Sequence, residues 1–301
     1  MIVDEEKIMH ITPQTNLPAA LQYWELYLID QGRSKHTVKS FIGDINLLAK
    51  YLPPDTTIGN ISNNDLNHFL EWLENGRGRG VPCSPKSLSR RVTSLKSFFK
   101  WLSKNGRINA DPAEEIKQQM VISPLPVVLT SQEIKTVLDY AHKKIYGSHP
   151  DSRPYVLIKL LLDTGIKKNE CLNIKLNHFE IGADIQFLFV RYPDQKDRNR
   201  ERKVQISQEF VAAYHEYLKQ YQPTENVFPW SQRRLEYILE DIGKEAGIEK
   251  HISFSMCRWN CALQDLSNGL NSDLIRQKLG ISKIQWREIF MKLKELSKKY
   301  S

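Results

Sequence analysis

Leu21, Trp24 and Leu28 recur at steps of three and four, which predicts a helix over Pro18–Ile29 with one apolar face. Gly32 ends it. Ser34 then caps a second helix, Lys35–Tyr51, with Val38, Phe41, Ile42, Ile45 and Leu48 inward, and Pro53-Pro54 stops it. Ile61–Asp65 is a capping stretch before a third helix carrying Leu66, Phe69, Leu70 and Leu73. Beyond the Gly/Arg loop Gly76–Gly80, Ser84-Pro85 opens a fourth helix that runs to about Asn105, with Leu88, Val92, Leu95, Phe98, Phe99 and Leu102 inward. These four predict a small helical domain over 17–112, after a loose lead-in at 1–16.

Residues 113–126 hold Ser123-Pro124-Leu125-Pro126 and read as a linker. Thr130-Ser131-Gln132-Glu133 has the spacing that starts a helix and opens a second domain, 127–290. An apolar helix, Tyr155–Thr164, ends at Gly165, and another runs through Leu172. Phe179–Ile181, Ile185–Val190 and Lys203–Ile206 are rich in branched and aromatic residues, as strands are. The last two bracket a charged turn. Helices follow around Gln208–Tyr221, Arg233–Gly247, Ser255–Ser267 and Ser272–Leu279, and from Ile284 into a tail at 291–301. The expected fold is mainly α, with a small antiparallel sheet in the second domain.

At 301 residues there is room for two cores. A net charge of +8 and a pI near 9.1 favour a polyanionic partner. Charge is also unevenly placed. Between Gly76 and Ala110 there is no acidic residue, while Arg77, Arg79, Lys86, Arg90, Arg91, Lys96, Lys100, Lys104 and Arg107 are all basic. Solvated helix faces mix signs, so this run points to phosphate contact by the fourth helix and its loop. Cys83, Cys171, Cys257 and Cys261 lack metal-binding spacing and read as reduced thiols in a cytoplasmic protein. No stretch has the pattern of a signal peptide or a membrane span. No cofactor and no metal site is expected.

The stretch Asn268-Gly269-Leu270-Asn271-Ser272-Asp273-Leu274-Ile275-Arg276-Gln277-Lys278-Leu279-Gly280 resembles the C-terminal catalytic segment of tyrosine recombinases, the phage integrases and their Xer-like relatives. Weaker landmarks (Gly32–Thr37, Ser62–Leu66, Ser84–Trp101, Asn109–Pro112 and Pro126–Leu138) stand in the order of that family's core-binding, SAM-like domain and its linker. The likeness spans about residues 17–292. It implies double-stranded DNA as the partner and a site made of two Arg, a Lys on a hairpin, two proton-transferring groups and a nucleophilic Tyr.

Laid on this chain, that frame holds while its chemistry changes. Thr-Gly-x-Arg-x-x-Glu becomes Thr164-Gly165-Ile166-Lys167-Lys168-Asn169-Glu170, so Lys167 keeps the charge and loses the guanidinium fork. Lys196 is the candidate hairpin lysine, although the frame anchored on Arg202–Ile206 puts Asp197 there. Arg198, Arg200 and Arg202 are further candidates for the DNA backbone. His-x-x-Arg becomes Ser255-Met256-Cys257-Arg258, which keeps Arg258 as a phosphate ligand. Leu-Gly-His becomes Leu279-Gly280-Ile281, and the Tyr position becomes Phe290. The spacing has no gap, with 23 residues from Arg258 to Ile281 and nine from there to Phe290.

A phenyl ring cannot attack phosphorus, and Ser255 cannot move protons near pH 7 as His does. The expectation is a DNA clamp of recombinase fold without strand cleavage, acting beside an active recombinase or marking a site in a mobile element. One alternative is an active recombinase with a relocated nucleophile such as Tyr300. Another is a protein-interaction module that has lost DNA binding. The tail, with Leu293 and Leu296 among lysines, reads either as frayed or as a segment that docks on a neighbouring protomer.

Overall fold

The computed structural model describes residues 11–78, 80–118, 123–182 and 185–300, with the backbone alone at Lys196. Most of the lead-in, Arg79 and part of the linker therefore lie outside the described residues. The chain divides into two compact units between Ser123 and Pro124.

The first unit holds four helices: α1 (Leu17–Asp30), α2 (Lys35–Tyr51), α3 (Asn63–Glu74) and α4 (Pro85–Lys104). Each starts on a side chain that takes a backbone N–H of the first turn, from Asn16, Ser34, Ser62 and Ser84. The apolar stripes read from the sequence meet in one core, where Trp24 packs edge-on to Phe98 at 5.1 Å. Two boundaries move. From Ile11 on, the lead-in is fixed: Ile11 is buried, and Pro13 and Thr15 accept backbone hydrogen bonds from Gly59 and Ile58 at 2.8 and 2.9 Å. Ala113 and Ile116, expected in the linker, are buried in this core as well.

The basic run also looks different in space. Arg90 and Arg91 turn toward the buried Asp44 of α2, which accepts the Ser94 hydroxyl at 2.7 Å. The acid missing along the chain is supplied from another helix. Lys96 reaches the Glu114 carbonyl at 3.1 Å, and Arg77 is half-buried. Lys86, Lys100 and Lys104 stay exposed and make no ion pair among the described residues.

The second unit contains α5 (Ser131–Ile145), α6 (Arg153–Thr164), the short α7 (Lys168–Leu172), α8 (Gln208–Tyr221), α9 (Gln232–Glu245), α10 (Phe254–Ser267), α11 (Ser272–Lys278) and α12 (Lys283–Tyr300). Its antiparallel sheet runs in the order β1 (Phe179–Ile181), β2 (Gln186–Val190), β3 (Arg202–Gln205). Alternation along β2 buries Gln186, Leu188 and Val190 and leaves Phe187 and Phe189 half-buried on the outer face, with Phe189 opposite Lys203. The fold is thus mainly helical, with a helical N-terminal domain and a helical C-terminal one bearing a small three-stranded antiparallel sheet.

Helix α10 separates two cores. Met256 and Cys257 face the main core; Ala262 and Leu263 face a second one with Val128, Ile275, Leu279, Ile281, Trp286, Leu293 and Leu296. Asn260, between them, exchanges two hydrogen bonds with the backbone of Leu129, at 3.0 and 2.7 Å. Helix α12 runs unbroken across residues 290 and 291, so no tail begins there. Leu293 and Leu296 are already buried against their own unit. The leucines that one of the two readings seated on a neighbouring protomer make their apolar contacts within this chain, and the other reading, a frayed end, is replaced by helix.

Candidate DNA-facing cluster

Helix α6 ends at Thr164, whose hydroxyl donates to the Leu160 carbonyl at 2.6 Å. Gly165 follows at φ +58°, where a side chain is disfavoured. A Cβ there would also lie 2.6 Å from Leu279 and 3.1 Å from the Cys261 sulfur. We therefore expect Gly165→Ala to lower the unfolding free energy by about 1–3 kcal/mol in a denaturant titration. A change of only a few tenths would mean that this turn relaxes freely.

The turn places Lys167 and Glu170 beside the Lys278–Gly280 turn that follows α11. Glu170 is 1% exposed at its side chain and holds the arrangement together. Its carboxylate takes the Lys167 backbone N–H at 2.8 Å and the Tyr192 hydroxyl. It also takes both arms of the Arg202 guanidinium, at 3.0 and 2.8 Å. Burial alone would push the Glu170 carboxyl up. The Arg202 fork and the Tyr192 hydroxyl more than reverse this and hold it at about 2. Tyr192, half-buried and bonded to that carboxylate, is pushed up to about 12 by burial first and by the hydrogen bond second.

Three cations surround this one carboxylate. Arg202 donates its remaining Nε–H to the Lys278 carbonyl at 2.6 Å. Lys167 reaches the Gly280 carbonyl at 3.1 Å. Arg258, from the first turns of α10, bonds the Gly165 carbonyl and the Leu279 carbonyl, the latter at 2.5 Å. The two turns are thus sewn together by basic side chains on backbone oxygens. Positive charge remains in excess there. Burial, and then Arg258, Arg202 and Arg200, lower the Lys167 ammonium against the pull of Glu170. Burial brings Arg258 down to about 10. Such crowding favours an anion.

The other expected positions divide. Ser255 is exposed one turn before Arg258 on α10. Ile281 is 8% exposed and belongs to the second core. Phe290 is half-buried, stacked on Trp286 at 5.5 Å, with the Lys294 ammonium 4.7 Å from its ring centre. Tyr300 packs on that same core. Arg198 is exposed, and Arg200 pairs with Asp197 at 2.9 Å. Arg202 was read from the sequence as a backbone contact for DNA. Its side chain is 9% exposed with the whole fork engaged inside the protein, so it acts here as a strut. The Tyr192–Glu170–Arg202 unit had no local signal except Glu170 itself, the acid of the Thr-Gly turn.

A helical unit followed by a helical unit with a small antiparallel sheet is the fold of tyrosine recombinases. The phage integrase family model matches residues 127–295, and the phage integrase N-terminal SAM-like domain model matches residues 21–106. The chain belongs to the phage integrase family. It is similar to the tyrosine recombinase XerD of Listeria innocua serovar 6a, 24% identical over 91% of this chain and 95% of that one. It is also similar to the XerC of Neisseria meningitidis serogroup B, 25% identical over 90% of each. Among solved structures, a lambda integrase dimer bound to a COC′ core site shares the fold with a TM-score of 0.70, at 14% identity over 94% of this chain and 79% of that one. XerH in a post-cleavage complex with a palindromic difH substrate gives 0.69, at 16% identity over 98% and 90%. No helix among the described residues is long and apolar enough to cross a membrane.

Proposed function

We propose that this chain clamps duplex DNA through both units and does not cut it. The observation that carries this reading is the make-up of one cluster. Lys167, Arg202 and Arg258 outnumber the single carboxylate of Glu170, while the positions framed for proton transfer and attack hold Ser255, Ile281 and Phe290. Excess cations attract a phosphodiester. A hydroxyl, an alkyl group and a phenyl ring supply neither a proton shuttle near pH 7 nor a tyrosyl nucleophile. The DNA complexes of the lambda integrase and XerH folds support the partner class. Exposed Lys86, Lys100 and Lys104 extend the contact to the first unit. In this role the chain acts beside an active recombinase or marks a site.

The test is incubation with a nicked suicide duplex library of randomised sequence. A mobility shift is expected without any denaturant-resistant adduct, in the native chain and in Phe290→Tyr alike. Losing one acid/base group costs about 10²–10⁴ in rate, and two such positions remain changed in that variant. An adduct formed by the native chain and lost in Tyr300→Phe would establish the relocated nucleophile instead.

A further inference from the structure

A cleft of about 830 Å³ opens beside the three-stranded sheet, with Tyr192 and Arg202 of the cluster above in its lining. That volume suits one or two nucleotides, about the size range of small-ligand sites. Lys175, Arg191, Arg198 and Lys203 line it, and Glu201 is its single lining acid. Arg191 and Arg198 have no acidic partner among the described residues. Lys175 and Lys203 meet only exposed carboxylates, Glu225 and Glu180, each at 2.7 Å. Solvent-exposed pairs of this kind are weak and yield readily to a phosphate.

Two of the cations, Arg191 and Lys203, are held in place by a ring. The Phe189 ring lies 5.6 Å from the Arg191 guanidinium and 5.0 Å from the Lys203 ammonium. The opposite wall is pinned, since Leu176 donates to the Glu225 carbonyl at 3.0 Å and Val227 to the Ile174 carbonyl at 2.8 Å. On that wall, His178 accepts the Lys175 backbone N–H at Nδ1, 3.3 Å away. Its Nε2 therefore carries the hydrogen as a donor. Burial, and then Arg191 and Lys175, lower its pKa and keep it neutral. Asn177 and Asn226 add amide groups to the lining.

Cations, an aromatic face and amide edges together match a nucleotide whose base is free. In a duplex the bases are stacked and paired, so an aromatic face and amides at this depth find only backbone. We infer that this cleft binds an unpaired nucleotide, with its phosphate on Lys175, Arg191, Arg198 and Lys203 and its base against Phe189, read by Asn177 and His178. This goes beyond duplex binding, although the cleft shares Tyr192 and Arg202 with the duplex cluster.

The experiment is fluorescence anisotropy on the full chain with a labelled five-residue oligothymidylate, competed by thymidine monophosphate. The oligonucleotide should bind, and Lys175→Glu with Arg191→Glu should weaken it about ten-fold or more, since two charge-assisted contacts become repulsions. Duplex affinity should fall by a clearly smaller factor, since neither residue belongs to the duplex cluster. Competition by the monophosphate identifies a free nucleotide as sufficient; its failure to compete assigns the site to a strand. Near-ultraviolet circular dichroism checks that the variant is folded, so the outcome stands whether or not the chain binds duplex. No binding of either probe overturns the proposal, as does binding indifferent to the charge reversal or a proportionate loss of duplex affinity.

Discussion

Glu170→Gln is expected to lower the unfolding free energy by about 3–5 kcal/mol, the cost of removing one partner from a buried ion pair. The carboxylate is 1% exposed and accepts two bonds from Arg202, one from Tyr192 and one from the Lys167 backbone. The amide keeps the shape, donates where it should accept, and leaves three crowded cations without a counter-charge. A urea titration followed by circular dichroism measures the change. A drop below about 1 kcal/mol would mean that Arg202 finds full compensation on backbone carbonyls.

The same carboxylate sets an acid dependence. Its folded pKa of about 2 lies below the ordinary 4.5, so the stabilisation is complete above about 4.5 and is lost as pH falls toward 2. A shift of that size corresponds to about 3 kcal/mol. The Gln variant should lack this part of the acid-unfolding slope.

Duplex affinity should fall about 10³-fold between 50 and 200 mM salt, as for a protein that neutralises six or more phosphates. Lys86, Lys100 and Lys104 supply free charge in the first unit, and Lys167 with its neighbours supplies it in the second. Lys86→Ala together with Lys100→Ala should reduce the slope of log affinity on log salt by about two. A native slope shallower than about two would favour the protein-interaction module, because so few phosphates cannot anchor a clamp.

The fold was legible because its signals are local. Apolar steps of three and four marked α1 to α4, and the caps at Ser34, Ser62 and Ser84 stand where the residue types pointed. The site was legible only as a row of positions. The frame located Lys167, Arg258, Ile281 and Phe290, but not which cations remain free. Arg202 is consumed by an acid 32 residues earlier, and Arg90 by one 46 residues earlier. Pairings over such separations leave no periodic trace. Asp44 did carry a hint, since it is an acid beside the buried Ile45 and within reach of Leu48 on the next turn. A buried acid requires a cation, and the adjacent basic run supplied it.

Ile281 is part of a core, with Leu279, Leu293 and Leu296 beside it. An imidazole there would forfeit about 1.5–3 kcal/mol of side-chain burial and leave a polar ring among alkyl groups. Where the resemblance places a proton-transfer group, packing resists one. Under the reading proposed above, that makes one step of the change from cutter to binder a ratchet: at Ile281 a return toward chemistry passes through a less stable protein, while the exposed Ser255 sets no such barrier.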